Sequence, residues 1–271
     1  MFSFSKYAGC GNDFVLFDNR AGRFPSHSPQ VIASLCHRQR GIGADGVILL
    51  ENSAKADCRM RIFNADGSEA EMCGNGIRCL MKFLHELGAA SSKCTIETME
   101  RTLQVELKGD LVSVSMGSPS SMRWNFPIQV GSDTFDMNFL NTGVPHAIMF
   151  MKQIDSFDMA LWGPRVRSHP MFLPHGTNFN IATPPADGEV AIRTYERGVE
   201  GETLACGTGA TAAALAAARV YDAPSPVRVR TASNETLEIG FQRDGDQFSQ
   251  VTLTGPANRI YTGEVDIYGK N

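Results

Sequence analysis

Hydrophobic and polar positions along the chain fall into short runs divided by glycine, proline and hairpin-type turns. Phe14–Asp18, Gly46–Glu51 and Asp57–Phe63 are apolar, β-branched or aromatic runs that predict strands. Ser28 followed by Pro29 reads as an N-cap and a first-turn proline, opening a helix to about Arg38. Gly76–Leu87 has helical spacing and Gly88 stands where a C-cap belongs. Cys94–Thr98, Thr102–Leu107 and Leu111–Met116 predict three further strands, with Lys108–Asp110 as a hairpin turn. Pro119–Asn125 reads as a boundary. Beyond it come a strand near Val190–Tyr195, a helix from Gly207 to about Val220, and strands at Val227–Thr231, Thr236–Phe241 and Phe248–Thr254, with Asp244–Gly245 as a turn. Ala210–Ala218 is almost all small residues, which predicts a central helix that its neighbours approach closely. Hairpins mixed with one strong helix per half predict an α+β fold rather than a doubly wound sheet.

The two halves share landmarks in the same order. RIFNADGSEAEMC precedes CGNGIRC, and RTYERGVEGETLAC precedes CGTGATAAA; GNDFVLF upstream faces GVPHAIMF. The offset is nearly constant: 132 from Gly11 to Gly143 and from Asn64 to Glu196, 133 from Cys73 to Cys206, and 134 from Leu103 to Leu237. Chance likeness of short strings would scatter these offsets, so the chain reads as an internal duplication with a pseudo-twofold relation. The expected domains are 1–118, with 263–271 crossing back to it, and 119–262.

Composition narrows the function classes. The chain has 271 residues, 42% hydrophobic and 20% charged, with a net charge of −4. Its lysines and arginines are scattered, which disfavours a nucleic-acid or anionic-membrane surface. The seven cysteines are irregularly spaced and include no CxxC pair, so neither a disulfide framework nor a metal site is expected. The N-terminus lacks a signal-type apolar stretch and no run approaches eighteen apolar residues, so a reducing cytoplasm fits best.

Cys73 and Cys206 carry the chemistry. Each stands at the mouth of a Gly-x-Gly helix start, where unpaired backbone N–H groups and aligned peptide dipoles favour an anion. A cysteine there gains thiolate character, and the same N–H groups can hold a carboxylate. Either stretch alone is more often a buried cysteine beside a turn. Two copies in register shift the balance. Related by the pseudo-twofold, two mouths could clamp one carboxylate with a sulfur on each face of the attached carbon. One sulfur would remove a proton and the other return one, inverting the stereocentre. Neither a metal nor pyridoxal phosphate is required by this logic.

GNDF at Gly11–Phe14, FNADGSEAEMCGNGIRC at Phe63–Cys79, GVPH at Gly143–His146 and YERGVEGETLACGTGA at Tyr195–Ala210 resemble the diaminopimelate epimerases. The likeness spans essentially the whole chain. It implies two similar domains, each wrapping strands around a central helix, with the site in the cleft between them. It also implies cofactor-independent interconversion of LL- and meso-diaminopimelate, in lysine and peptidoglycan precursor synthesis. Carried over by position, Cys73 and Cys206 are the acid/base pair. Gly74, Asn75, Gly207 and Thr208 hold the reacting carboxylate. Asn64, Asn178, Glu196 and Arg197 read the distal amino acid end, Arg197 its carboxylate and Glu196 its ammonium. Asn12 lies near the reacting centre, and His146 and Asp13 are weaker candidates, His146 for tuning a cysteine. A small-molecule substrate is implied, and a homodimer is left open. Many members have Gln at the place of Gly46 and Asn at that of Val144, so a broader specificity is expected. Glu200 is an extra residue without an evident role. Three rivals stand beside this reading: a proline or hydroxyproline racemase, a cysteine hydrolase or thiol redox protein, and a non-enzymatic small-anion binder.

Overall fold

The computed structural model describes residues 1–26, 28–70 and 73–267. The chain divides into two compact units, one made of Met1–Val114 with the segment from Gly255 onward, the other of Ser115–Thr254. The segment that joins the first unit thus begins at Gly255, ahead of the position suggested by the sequence.

The first unit contains β1 (Phe2–Gly9), β2 (Asn12–Asp18), α1 (Pro29–Cys36), β3 (Gly46–Glu51), β4 (Cys58–Asn64), β5 (Glu69–Ala70), α2 (Gly74–Glu86), β6 (Lys93–Glu97), β7 (Thr102–Lys108) and β8 (Leu111–Ser115). The second contains β9 (Ser120–Val130), β10 (Asp133–Asn141), β11 (Pro145–Phe150), α3 (Met159–Arg167), β12 (Asn178–Ala182), β13 (Glu189–Glu196), β14 (Gly201–Thr203), α4 (Gly207–Tyr221), β15 (Val227–Arg230), β16 (Thr236–Asp244) and β17 (Gln247–Pro256). The last strand, β18 (Asn258–Val265), pairs antiparallel with β1 and so belongs to the first unit. The helix opened by Pro29 stops at Cys36, two residues before Arg38, and the units divide between Val114 and Ser115, just ahead of the Pro119–Asn125 boundary, within which β9 starts at Ser120.

Strand pairing is the same in both units. The first runs β18–β1–β2–β3–β4–β6–β7–β8, parallel only at β2/β3 and β4/β6. The second runs β9–β10–β11–β12–β13–β15–β16–β17, parallel only at β11/β12 and β13/β15. The short β5 and β14 pair antiparallel with β4 and β13. Register repeats as well: Phe14 lies opposite Gly46, and His146 opposite Asn178, each 132 residues on. Ile62 lies opposite Ala70, and Thr194 opposite Thr203, an offset of 132 on one strand and 133 on the other. The inserted residue therefore sits in the β13–β14 turn, which contains Glu200. There Glu200 adopts a positive φ of 54°, accepts from Gly198 N at 3.1 Å and pairs with Arg167 of α3 at 2.8 Å. The extra residue ties this turn to α3.

Each sheet wraps a helix. Contacts of α2 run to β1, β2, β3, β4, β7 and β18, and those of α4 to β9 through β13, β15 and β16. The inner strands are covered on both faces, which explains their unbroken apolar runs. Val15, Phe17, Val47 and Leu49 pack in one core with Ile32 and Leu35 of α1. Ile48, on the opposite face of β3, lies beneath the start of α2. The second unit repeats this with Met159 and Val166 of α3 against Phe179, Ile181 and Tyr195. Every residue of α4 from Gly209 to Ala218 is buried, as its small side chains predict.

Candidate active site

Cys73 is the N-cap of α2, with extended backbone (φ −141°, ψ 116°) and its Sγ accepting from Gly76 N at 3.5 Å. The sulfur takes the place of the usual Ser or Asp cap. The two glycines of CGNG differ in purpose. A Cβ on Gly76 would come within 3.0 Å of Ile48 Cδ1 and 3.1 Å of Ile62 Cδ1, so this glycine sits closely on the ends of two core side chains. A Cβ on Gly74 would meet nothing within 4 Å, so this glycine leaves room beside the amide.

A chain of polar side chains holds this mouth. The fully buried Arg78 donates to Asn75 Oδ1 (2.9 Å), to Gly74 O (3.2 Å) and to Pro256 O (3.1 Å). Asn75 Nδ2 donates to Asn12 Oδ1 (2.7 Å), and Asn12 Nδ2 to Asp45 Oδ2 (3.0 Å). Asp45 also accepts from Arg38 (2.7 Å), which bridges to Asp13. Asp13 pairs with the buried Lys6 at 2.7 Å. Burial works against its ionisation, but hydrogen bonds from Arg38 and Lys6 prevail and hold its carboxyl at about 2. The Asn75 side chain is thus committed inside the protein, and what Asn75 offers a ligand is its main-chain N–H. Asn64 ends β4, exposed, with Nδ2 donating to Ser68 Oγ at 3.0 Å.

Cys206 caps α4 with the same extended backbone (φ −121°, ψ 110°). Its Sγ lies 3.4 Å from Thr208 Oγ1, and the Thr208 carbonyl accepts from Thr142 at 2.9 Å. The two glycines of CGTG differ: a Cβ on Gly207 would approach only the Leu253 side-chain end, to 3.1 Å, whereas one on Gly209 would approach Asn180 Oδ1 to 2.6 Å. The Glu196 carboxylate accepts from Thr203 Oγ1 at 2.6 Å and from the Cys206 thiol. Burial raises the Cys206 thiol well above its ordinary range and the Glu196 charge raises it further, against the Thr208 hydroxyl and the Gly209 N–H. Burial raises Glu196 too, opposed by the bonds from Thr203 and Cys206. The Glu196 carboxylate thus stands beside the Cys206 sulfur.

Asn178 and Arg197 are brought together. The buried Asn178 accepts from Arg197 N at 2.8 Å, and Arg197 Nη1 donates to His175 O at 2.9 Å. His146 is fully buried. Burial and, next, the Arg197 charge push it down to about 3. Sequence reasoning missed Asn180 and Thr194, which hydrogen-bond each other at 2.9 Å, with Asn180 also 3.1 Å from His146 Nδ1. The signal was available, since the 132-residue offset aligns them with Ile48 and Ile62, and a polar residue where the repeat has a core isoleucine asks for a reason.

Gly46 is no emptied polar slot. A Cβ there would lie 2.4 Å from the Phe63 carbonyl oxygen, so the backbone itself occupies that space.

Comparison with known proteins is consistent with this geometry. The sequence pattern of one family, described as Diaminopimelate epimerase, matches residues 4–122 and 138–260, one segment in each half. A diaminopimelate epimerase of Chlorobaculum tepidum is 41% identical over 264 residues, covering 96% of this chain and 100% of that one. Among solved structures, a phenazine biosynthesis protein of the PhzF family from Bacillus anthracis superposes with a TM-score of 0.73 at 15% identity, covering 97% of this chain and 98% of that one. A hydroxyproline epimerase from Agrobacterium vitis gives 0.70 at 16%, covering 97% and 91%. These structural likenesses show a shared fold.

Proposed function

This chain belongs to the diaminopimelate epimerase family, a family of isomerases, and we propose that Cys73 and Cys206 are the groups that take and return the α-proton of diaminopimelate. The observation that carries this is the equivalence of the two caps. Both cysteines are N-caps with extended backbone, 133 residues apart in units of identical strand pairing, and each is followed by Gly-x-Gly.

A thiolate on one face of the α-carbon removes the hydrogen as a proton. The C–H bond breaks, an S–H bond forms, and the electron pair spreads into the adjacent carboxylate. Main-chain N–H groups at Gly74, Asn75, Gly207 and Thr208 stabilise the charge gathering there. A thiol on the other face then gives its proton to the carbon. The product has inverted configuration, and thiol and thiolate have exchanged places. Asn12 and Asn64 are proposed as substrate contacts, with Asn178 and Arg197 reading the distal end. Glu196 acts on Cys206, its negative charge keeping that sulfur protonated until a proton is called for. A cytoplasmic setting is supported by the free thiols of Cys36, Cys58, Cys94 and Cys206. Among the described residues no helix is long and apolar enough to cross a membrane.

The test is α-hydrogen exchange of LL-diaminopimelate in D2O with reduced, cofactor-free protein. The wild type should exchange. Cys73→Ala and Cys206→Ala should each lose at least about a hundred-fold. Ligand binding with undiminished exchange in either variant would sink the assignment.

A further inference from the structure

Arg78, the fifth residue of α2, has no exposed surface. Its guanidinium reaches back to the start of the helix. Nη1 donates to the Gly74 carbonyl at 3.2 Å, Nη2 to Asn75 Oδ1 at 2.9 Å and Nε to the Pro256 carbonyl at 3.1 Å. All three acceptors are uncharged. Among the described residues no carboxylate is ion-paired with Arg78: Asp13 and Asp45 pair with Lys6 and Arg38, and Glu86 with Arg259. Holding a charge away from water is unfavourable unless an opposite charge meets it.

The other repeat shows that the fold does not require this charge. Thr211 stands 133 residues after Arg78, equally without exposed surface, and its hydroxyl makes the corresponding bond to the Gly207 carbonyl at 2.9 Å. A hydroxyl therefore suffices to tie the fifth residue of the helix to its first. What Arg78 adds is a positive charge and a bond to the Asn75 side chain, and both bear on one amide. The peptide whose carbonyl accepts from Nη1 has the Asn75 N–H at its other end, and the bond to Oδ1 keeps the Asn75 side chain turned inward. A charged donor at the carbonyl polarises that N–H and adds to the partial charge of the helix mouth.

We propose that Arg78 is a positioning residue for the reacting carboxylate: it fixes and polarises the Asn75 N–H, and the bound carboxylate is the opposite charge that its guanidinium lacks among the described residues. The inference rests on the main-chain N–H groups of Gly74 and Asn75 cradling that carboxylate. The effect grows along the reaction, because negative charge gathers on the carboxylate as the proton leaves.

The test compares Arg78→Lys, which keeps the charge, with Arg78→Gln, which keeps hydrogen-bond donors and loses the charge, each in the reduced full-length chain. Circular dichroism and thermal unfolding check the fold of both. Should the Gln variant not fold, Arg78→Met, which keeps the apolar stem, takes its place. In α-hydrogen exchange of LL-diaminopimelate, Arg78→Gln should lose on the order of a hundred-fold in kcat, and Arg78→Lys no more than about ten-fold. Binding is measured by calorimetry in a Cys73→Ala/Cys206→Ala background, where neither sulfur is present. There the Gln change should weaken diaminopimelate about ten-fold and the Lys change at most about three-fold. Losses in Arg78→Lys as large as in Arg78→Gln, following their unfolding temperatures, would make Arg78 a structural strut and overturn the proposal. So would a folded Arg78→Lys that loses more than about ten-fold in exchange, or unchanged binding and exchange in Arg78→Gln. A wild type that neither binds nor exchanges diaminopimelate defeats the functional reading itself. A wild type that does both, with variants indifferent to charge, defeats only the role of Arg78.

Discussion

The two helix mouths are built on one plan and differ in what lies around them. At Cys73 the helix start rests on Ile48 and Ile62, and polar contacts run sideways through Asn75, Asn12 and Asp45. At Cys206 the helix start rests on Asn180, with His146 and Thr194 attached to it, and Glu196 stands against the sulfur. Even the fifth residue of each helix follows the pattern: Arg78 and Thr211 both bond the carbonyl of the first glycine, one with a buried cation and the other with a hydroxyl. Duplication supplies two equivalent sulfurs. Divergence gives the two mouths floors of different polarity, apolar under Cys73 and hydrogen-bonded under Cys206.

The largest expected effect concerns the mates Gly46 and Asn178. If Gly46 were merely a lost polar side chain, Gly46→Gln should restore a contact and be tolerated. With the Phe63 carbonyl 2.4 Å from the Cβ position, it should instead destabilise the protein by roughly 3 kcal/mol or more, read in urea unfolding. A variant as stable as wild type would show that the backbone yields there, and the expectation of altered specificity at this position would revive.

A smaller effect tests the floors directly. Gly76→Ala meets only the mobile ends of two isoleucines, and alanine gains helix propensity of up to ~1 kcal/mol, so the change should be near neutral. Gly209→Ala meets Asn180 Oδ1 at 2.6 Å, and Asn180 is pinned by Thr194, Ala147 and His146. A loss of about 1–3 kcal/mol is expected there. Equal costs in thermal unfolding would mean that the two floors are equally stiff.

The smallest effect is on titration. Burial and then the Glu196 charge raise Cys206, so Glu196→Gln removes the second cause and leaves the first. The thiol should ionise at lower pH, and alkylation of Cys206 at pH 8, followed by peptide mass spectrometry, should quicken several-fold. No change would mean that burial alone sets this sulfur.

Some of this was legible in the sequence and some was hidden by tertiary contacts. The constant offset foretold the shared register, down to Phe14/Gly46 and His146/Asn178. The helix after Cys73 was expected from Gly76 to Leu87 and spans Gly74–Glu86, with Gly88 just beyond it at a positive φ of 65°. By contrast α3 contains Gly163 and Pro164, residues that argue against a helix. Its glycine is required because a Cβ would strike the Tyr195 ring at 2.3 Å. The strand β9 holds Pro127, which breaks its pattern. The nearness of Glu196 to Cys206 was not legible, because their separation along the chain does not reveal that the β13–β14 hairpin folds the two together.

By itself the sequence determined the duplication, the α+β class and the two cysteine-capped helices, because these rest on local patterning and on repetition, which need no knowledge of contacts. Tertiary structure alone decided that Gly46 is closed by a carbonyl, that Asn75 is spent on Arg78 and Asn12, and that Asn180 presents its amide hydrogen to His146. Those outcomes depend on which atoms meet across strands far apart in the chain, and a buried amide or imidazole takes its role from the partner it meets.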